Sequence, residues 1–141
     1  MFYLCYQSTS KVPIDQKLIN NILEISKMNN RQSNVTGMLL INNDIFFQIL
    51  EGEEESVEKL FTKIQSDNRH TSVHRLLSGY ESERSFANWS MGFKILSEGE
   101  LITFNRYLDL EHKDFRNLEE SSISGDNFLL QFLKNFFDGC L

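Results

Sequence analysis

One proline, Pro13, and two cysteines, Cys5 and Cys140, are all that this 141-residue sequence holds of those two residue types. Two thiols at opposite ends of a chain make neither a disulfide framework nor a metal cluster, so a reducing, cytoplasmic setting is expected. No run of about 18 apolar residues occurs, and with it no membrane span is expected. The opening residues MFYLCYQSTS lack the basic start and apolar middle of a secretory signal. Basic residues are scarce too: 14 Lys and Arg stand against 20 Asp and Glu, a net charge of −6. Nucleic acid is therefore not an expected partner, because a phosphate backbone needs a concentrated basic surface. No Gly/Ser-rich linker, low-complexity tract or internal repeat divides the chain. Aromatic residues, by contrast, are plentiful at 12%, within an apolar total of 40%. A disordered chain does not carry that many rings, and this length suffices for one domain with a proper core.

Short apolar runs alternate with helical periods along the chain. Phe2–Gln7 reads as a strand. Pro13 and Asp15 signal a helix start, and Leu18, Ile22 and Ile25 give that helix one apolar face down to about Met28. The polar run Asn29–Asn34 reads as turn chemistry with Asn29 and Asn30 at the helix end. Val35–Ile41 and Ile45–Leu50 form a strand pair around the reversal Asn42-Asn43-Asp44. After Gly52, a second helix carries the stripe Val57, Leu60, Phe61 and Ile64. Its start is rich in Glu51, Glu53, Glu54 and Glu55, read as a solvated helix end rather than a cation site. Val73–Tyr80 is a fourth strand and the segment from Trp89 to Ile95 a short fifth. Two helices are expected from about Ser97, the last bearing Phe128, Leu129, Phe132, Leu133, Phe136 and Phe137.

This order predicts an α+β fold: a ferredoxin-like βαββαβ sheet, a fifth short strand, and a two-helix C-terminal extension. Residues 1–96 would form the sheet domain. Residues 97–141 would pack on the sheet or form an interface. The first and third strands become central neighbours, and both have the nearly continuous apolar character of strands covered on two faces.

Two polar residues interrupt those central strands. Tyr6 shares a face with Phe2 and Leu4, and Gln48 shares one with Phe46 and Leu50. A buried glutamine must have its amide satisfied, and a phenol on the adjacent strand can both donate and accept. The pair is either a structural hydrogen bond or the lining of a polar ligand held between the helices. Ser26, Asn29 and Asn30 cluster near the end of the first helix and leave the same choice open, between local caps and readers of a heterocycle edge.

Taken together, Leu4-Cys5-Tyr6, Asn29-Asn30, Val35-Thr36-Gly37-Met38-Leu39-Leu40, Phe46-Phe47-Gln48-Ile49-Leu50-Glu51-Gly52-Glu53, Asp67-Asn68-Arg69-His70 and Phe86-Ala87-Asn88-Trp89-Ser90-Met91 follow one another as in a BLUF domain. The resemblance covers about residues 1–95 and is to a blue-light sensor using flavin. It implies non-covalent FAD between the two helices. Tyr6 resembles the family's electron- and proton-donating tyrosine, and Gln48 the glutamine bridging that phenol to the flavin. Trp89 and Met91 match the Trp/Met pair beside the glutamine. Asn30 matches the asparagine at the flavin carbonyl edge, Asn29 the neighbouring ring contact, and Ser26 a small polar residue near the glutamine. Lys63 stands where several relatives carry Arg, keeping the charge but losing the bidentate fork. Asp67, Arg69 and His70 match the block that fixes the cofactor or its rim. In such a site Tyr6 gives up an electron and a proton under illumination, and rotation or tautomerisation of the Gln48 amide changes the bonds reaching the flavin.

The remaining candidates have plainer readings. Cys5 faces away from Tyr6 and reads as an inert buried thiol. His70, His74 and His112 lack metal-ligand spacing, so no metal is expected. A flavin-dependent or acylphosphatase-like enzyme would need a nucleophile-base pair that the sequence does not offer, and no catalytic residue is assigned. A light-independent flavin- or protein-binding module is the competing reading. Beyond residue 97 the chain resembles stand-alone members of the family, which implies output to a separate signalling protein and an expected homo-oligomer.

Overall fold

A computed structural model of the chain describes residues 1–87 and 90–106. The elements run β1 (Phe2–Ser10), α1 (Gln16–Ser33), β2 (Thr36–Asn42), β3 (Ile45–Gly52), α2 (Glu54–Gln65), β4 (His70–Tyr80) and β5 (Gly92–Ile95). The strands form a single sheet in the order β4-β1-β3-β2-β5, antiparallel except that β5 runs parallel to β2. This is the ferredoxin-like arrangement, with β1 and β3 as central neighbours.

Local chemistry sets the boundaries. Asp15 caps α1 by accepting the Leu18 amide at 2.8 Å. The helix runs past Met28, where the sequence reading ends it, because a polar run alone does not stop a helix. What stops it is Asn34, in the left-handed region at φ 55°. Asn43 takes φ 52° in the two-residue reversal between β2 and β3. Gly37 of β2 passes so close to β3 that a Cβ there would sit 2.0 Å from the Ile49 carbonyl oxygen. Glu54 and Glu55 occupy the first turn of α2, matching the helix dipole. β4 begins at His70, three residues earlier than its apolar pattern predicts, and slips register twice against β1.

Val57 and Phe61 of α2 and Ile19 and Leu23 of α1 pack on Phe2, Leu4, Tyr6, Leu39, Phe46 and Leu50 of the sheet. Alternate residues of the central strands, Cys5 and Ile49 among them, are buried as well. Residues Met1–Ile95 make one compact unit and Leu96–Leu141 another. In the second, residues 98–106 are helical and begin with a capping box: the Ser97 amide donates to Glu100 and the Glu100 amide to Ser97 Oγ, at 3.0 and 3.2 Å. The second helix of the expected extension lies outside the described residues, as does Cys140.

Candidate functional site

Both helices lean over the same stretch of sheet and leave a cavity of about 300 Å³ between them. Its floor is Tyr6 of β1, Gln48 and Phe46 of β3 and Leu39 of β2. α1 supplies Ile22, Ile25, Ser26, Asn29 and Asn30 as one wall, and α2 supplies Leu60, Lys63 and Ile64 as the other. Ser66, Asp67, Arg69 and His70 close one end. Such a volume, largely apolar with a few placed polar groups, is that of a small-molecule cleft.

Antiparallel register sets Tyr6 directly opposite Gln48. The Tyr6 phenol donates to Gln48 Oε1, and Gln48 Nε2 donates to Met91 Sδ at 3.4 Å. Each end of the amide is thereby committed to a different partner. Both Tyr6 and Gln48 are 4% exposed. Burial, with smaller contributions from Cys5 and Asp67 and against the pull of Arg69, holds the phenol well above its ordinary range. Tyr6 is therefore a neutral donor throughout the physiological range. Its ring lies 5.4 Å from that of Phe61, which fixes its position from the α2 side.

On the α1 wall, Asn30 is 1% exposed and its Nδ2 donates to the Ser90 carbonyl at 2.6 Å. Arg31 adds a bond from Nε to Ser90 Oγ at 3.3 Å. The end of α1 is thus tied to the segment entering β5. At the other end of the cavity, the Arg69 fork grips Asp67, with an Nη2–Oδ2 separation of 2.5 Å. That hydrogen bond is the main reason the Asp67 carboxyl lies below its ordinary range. His70 bridges Ser8 Oγ at 2.9 Å and the Ile64 carbonyl at 2.7 Å, stitching β1 to the end of α2. Nε2 must carry a proton to serve the carbonyl, and in the neutral ring Nδ1 then accepts from Ser8.

Tyr6, Ser26, Asn29, Asn30, Gln48, Lys63, Asp67, Arg69 and His70, scattered through the sequence, thus line one cavity. Met91 adjoins it through Gln48. Trp89 lies outside the described residues. The sequence reading missed the walls: Ile22, Ile25, Leu60 and Ile64 read as core stripe, since periodicity alone cannot tell a packed face from a cavity lining. It also misread Glu51. That residue is 0% exposed, on β3 rather than in a solvated helix start. Its carboxylate accepts from the Phe86 and Ser85 amides at 2.6 and 2.9 Å and from Thr36 Oγ1 at 2.8 Å. Cys5 is buried and its thiol is pushed up to about 12 by that burial, so it offers no thiolate chemistry. Among the described residues no group of His, Cys, Asp or Glu has the arrangement of a metal site.

The chemistry of the lining fits FAD. Carboxamides from Asn29, Asn30 and Gln48 can meet the donor-acceptor edge of a flat ring, and the aliphatic walls can meet its faces. Lys63 and Arg69 outweigh Asp67 and suit an anionic diphosphate tail. Sheet, cleft and lining together define a receptor domain for a nucleotide cofactor. The family follows from comparison: the sequence profile of BLUF, sensors of blue-light using FAD, matches residues 1–92, and the chain belongs to that family.

The chain is similar to the blue light- and temperature-regulated antirepressor BluF of Escherichia coli strain K12, 39% identical over 88 residues. That match covers 62% of this chain and 22% of the antirepressor, so the chain spans about a fifth of that relative's length. A structure of BlsA in its photo-activated state superposes with a TM-score of 0.66 at 28% identity, covering 94% of each chain. A bacterial light-regulated adenylyl cyclase superposes with a TM-score of 0.66 at 36% identity, over 84% of this chain and 36% of the cyclase. Residues 1–92 are accordingly a blue-light-sensing, FAD-using domain.

Proposed function

We propose that this chain is a short blue-light photoreceptor whose photoactive centre is Tyr6, Gln48 and Met91, with Trp89, and whose output passes to a separate protein. The observation that carries the reading is the relay on the cavity floor: a buried phenol, an amide and a thioether joined through opposite ends of one side chain. Bound FAD supplies a blue-absorbing ring whose excited state is a strong oxidant. Ser26, Asn29 and Asn30 would orient the ring from α1, while Lys63, Asp67, Arg69 and His70 would hold the rest of the cofactor. Tyr6 can release an electron and its phenolic proton toward the cavity, and in the dark that proton stays on the phenol, donated to Gln48 Oε1. Rotating or tautomerising the Gln48 amide exchanges donor and acceptor at three places at once: toward Tyr6, toward Met91 and toward the cavity. In a low-dielectric site one exchanged bond is worth ~1–3 kcal/mol, enough to bias a two-state element.

The relatives suggest the kind of output, since their names include an antirepressor and light-regulated cyclases. A homo-oligomer is part of this reading, and light scattering on the purified protein would test it. No helix among the described residues is long and apolar enough to cross a membrane; the assignment to the cytoplasm rests instead on the sparse cysteine usage of the sequence. The decisive experiment is an absorption spectrum before and after blue illumination. A yellow protein with bound FAD should shift to the red and return in darkness. Flavin binding without a shift favours a light-independent module, and failure to bind flavin on reconstitution removes the photoreceptor reading.

A further inference from the structure

The strap between β4 and β5, described over residues 81–87 and 90–91, joins opposite edges of the sheet past the ends of β1, β3 and β2. Its attachments follow that path. The Glu81 amide donates to the Met1 carbonyl at 2.8 Å, beside the start of β1. Glu51, near the end of β3, takes the backbone amides of Ser85 and Phe86. Arg84 reaches the Glu51 carbonyl, Thr36 Oγ1 and the Asn34 carbonyl at 3.1, 2.8 and 2.7 Å, beside the start of β2. At its far end the strap delivers Ser90 to Asn30 and Met91 to Gln48.

Glu81 Oε2 accepts from Ser85 Oγ at 3.0 Å, yet Oε1 is buried and meets no donor among the described residues. A buried carboxylate oxygen without a donor is costly, whereas a carboxylic acid there would itself be the donor. The neighbouring acceptor is Glu51, because the same Ser85 binds both carboxyls, its amide to Glu51 Oε2 at 2.9 Å and its hydroxyl to Glu81 Oε2 at 3.0 Å. Burial first, and the nearby Glu51 carboxylate second, raise the Glu81 carboxyl to about 9, against the opposing pull of Ser85 and the N-terminal amine. The groups that face it are thus Glu51 from β3, Ser85 of its own segment and the α-amino group of Met1, with Arg84 bound to the Glu51 backbone.

We propose that Glu51 is a positioning residue of the photoreceptor: it accepts the proton that Glu81 carries, and this carboxyl clasp seats the strap between β4 and β5 so that Met91 stands against Gln48. The clasp rests on the reading of Gln48 and Met91 as part of the photoactive centre. Return to the dark geometry requires Met91 to be reseated, so the clasp sets the rate of dark recovery without touching the cofactor. Loss of the shared proton leaves two carboxylates facing each other and loosens the strap.

The test is dark recovery of the purified, flavin-loaded protein, followed by absorbance between pH 6 and pH 10. Wild type is expected to recover at a constant rate up to about pH 8 and to slow about tenfold as Glu81 ionises around pH 9. Glu81→Gln supplies an amide donor toward Glu51 and an acceptor for Ser85 at every pH, so it should recover as wild type does at neutral pH and lose the slowing. It retains every other titrating group, so the difference between the two profiles reports on the clasp alone. Glu51→Gln places an amide donor against backbone donors and should slow recovery about tenfold at neutral pH with flavin content unchanged. A wild-type rate flat to pH 10, or a Glu81→Gln profile that follows wild type, overturns the proposal. The wild-type profile decides it even if Glu51→Gln fails to fold. Absence of any light-induced shift in wild type at neutral pH would instead remove the photoreceptor reading beneath it.

Discussion

Replacing Tyr6 by Phe removes one oxygen and leaves the ring in its contact with Phe61, so its effects can be assigned to the hydrogen bond. Gln48 Oε1 then loses its donor at a buried position, since both residues are only 4% exposed. A buried acceptor that loses its donor costs ~1–3 kcal/mol, which for a domain of this size lowers Tm by roughly 3–10 °C. Gln48→Leu strands the phenol in the same way and removes the donor to Met91 as well. Replacing both partners at once strands neither, so the double variant should be more stable than the sum of the two losses predicts. The coupling expected from a urea-unfolding cycle is ~1–2 kcal/mol. Additivity within about 0.5 kcal/mol would refute the bond as a stabilising contact. The optical readout is independent of the thermodynamic one: Tyr6→Phe should remain yellow and lose the light-induced red shift. A normal shift in that variant would remove Tyr6 from the mechanism whatever its effect on stability.

Gly37→Ala drives a Cβ to 2.0 Å from the Ile49 carbonyl and should cost at least ~3 kcal/mol in the same unfolding assay. Gly99→Ala, where a Cβ meets nothing within 4 Å in a helical segment, should stabilise by ~0.5–1 kcal/mol. In a Cys140→Ser background a thiol reagent at pH 8 should leave Cys5 unlabelled until denaturant is added, since burial pushes its thiol up to about 12. Labelling of the folded protein at the rate of a free thiol would contradict that burial. Stability should depend on pH from both sides. Arg69 holds the folded-state Asp67 carboxyl below its ordinary 3.8, so that contribution is present above this pH and lost as pH falls past it, and Asp67→Asn should remove this acid limb. Glu81 is raised in the folded state, so its contribution is complete at acid pH and declines as pH rises toward about 9, a slope that Glu81→Gln should abolish.

Period-two alternation placed Tyr6 and Gln48 on faces of their strands, and the strand order made those strands neighbours. Their direct pairing then needs only the antiparallel register. Local patterns of this kind are legible because each depends on a few adjacent residues. Glu51 was not legible. Its partners Ser85 and Phe86 lie 34 and 35 positions away, and its chain neighbours Glu53, Glu54 and Glu55 suggest solvent. The end of α1 was misplaced because Asn29–Ser33 has turn composition throughout, while only Asn34 adopts the conformation that ends the helix. The cavity walls were hidden for a third reason. An aliphatic stripe looks the same in sequence whether a neighbouring helix or a ligand covers it, and here Ile22 and Ile25 line the cavity while Ile19 and Leu23 are core.

Register also indicates where a change at Gln48 goes. Gln48 of β3 pairs with Leu39 of β2, and Leu39 pairs with Phe93 of β5, so one row of residues runs from the cavity floor to the sheet edge. Met91 and Ser90, bound to Gln48 and Asn30, immediately precede β5. Three contacts from the cavity therefore converge on a strand of four residues, at the sheet edge, with Phe93 40% exposed. A short edge strand opens at far lower cost than β1 or β3, whose residues are paired on both sides and buried. Breaking the Gln48–Met91 bond should lower that cost further. Hydrogen exchange under continuous blue light should consequently accelerate at the amides of Gly92–Ile95 several-fold over darkness, while those of Leu4 and Leu50 stay unchanged. Equal acceleration across all strands would mean that light loosens the domain as a whole, and unchanged exchange in β5 would show that the strand does not receive the change made at Gln48.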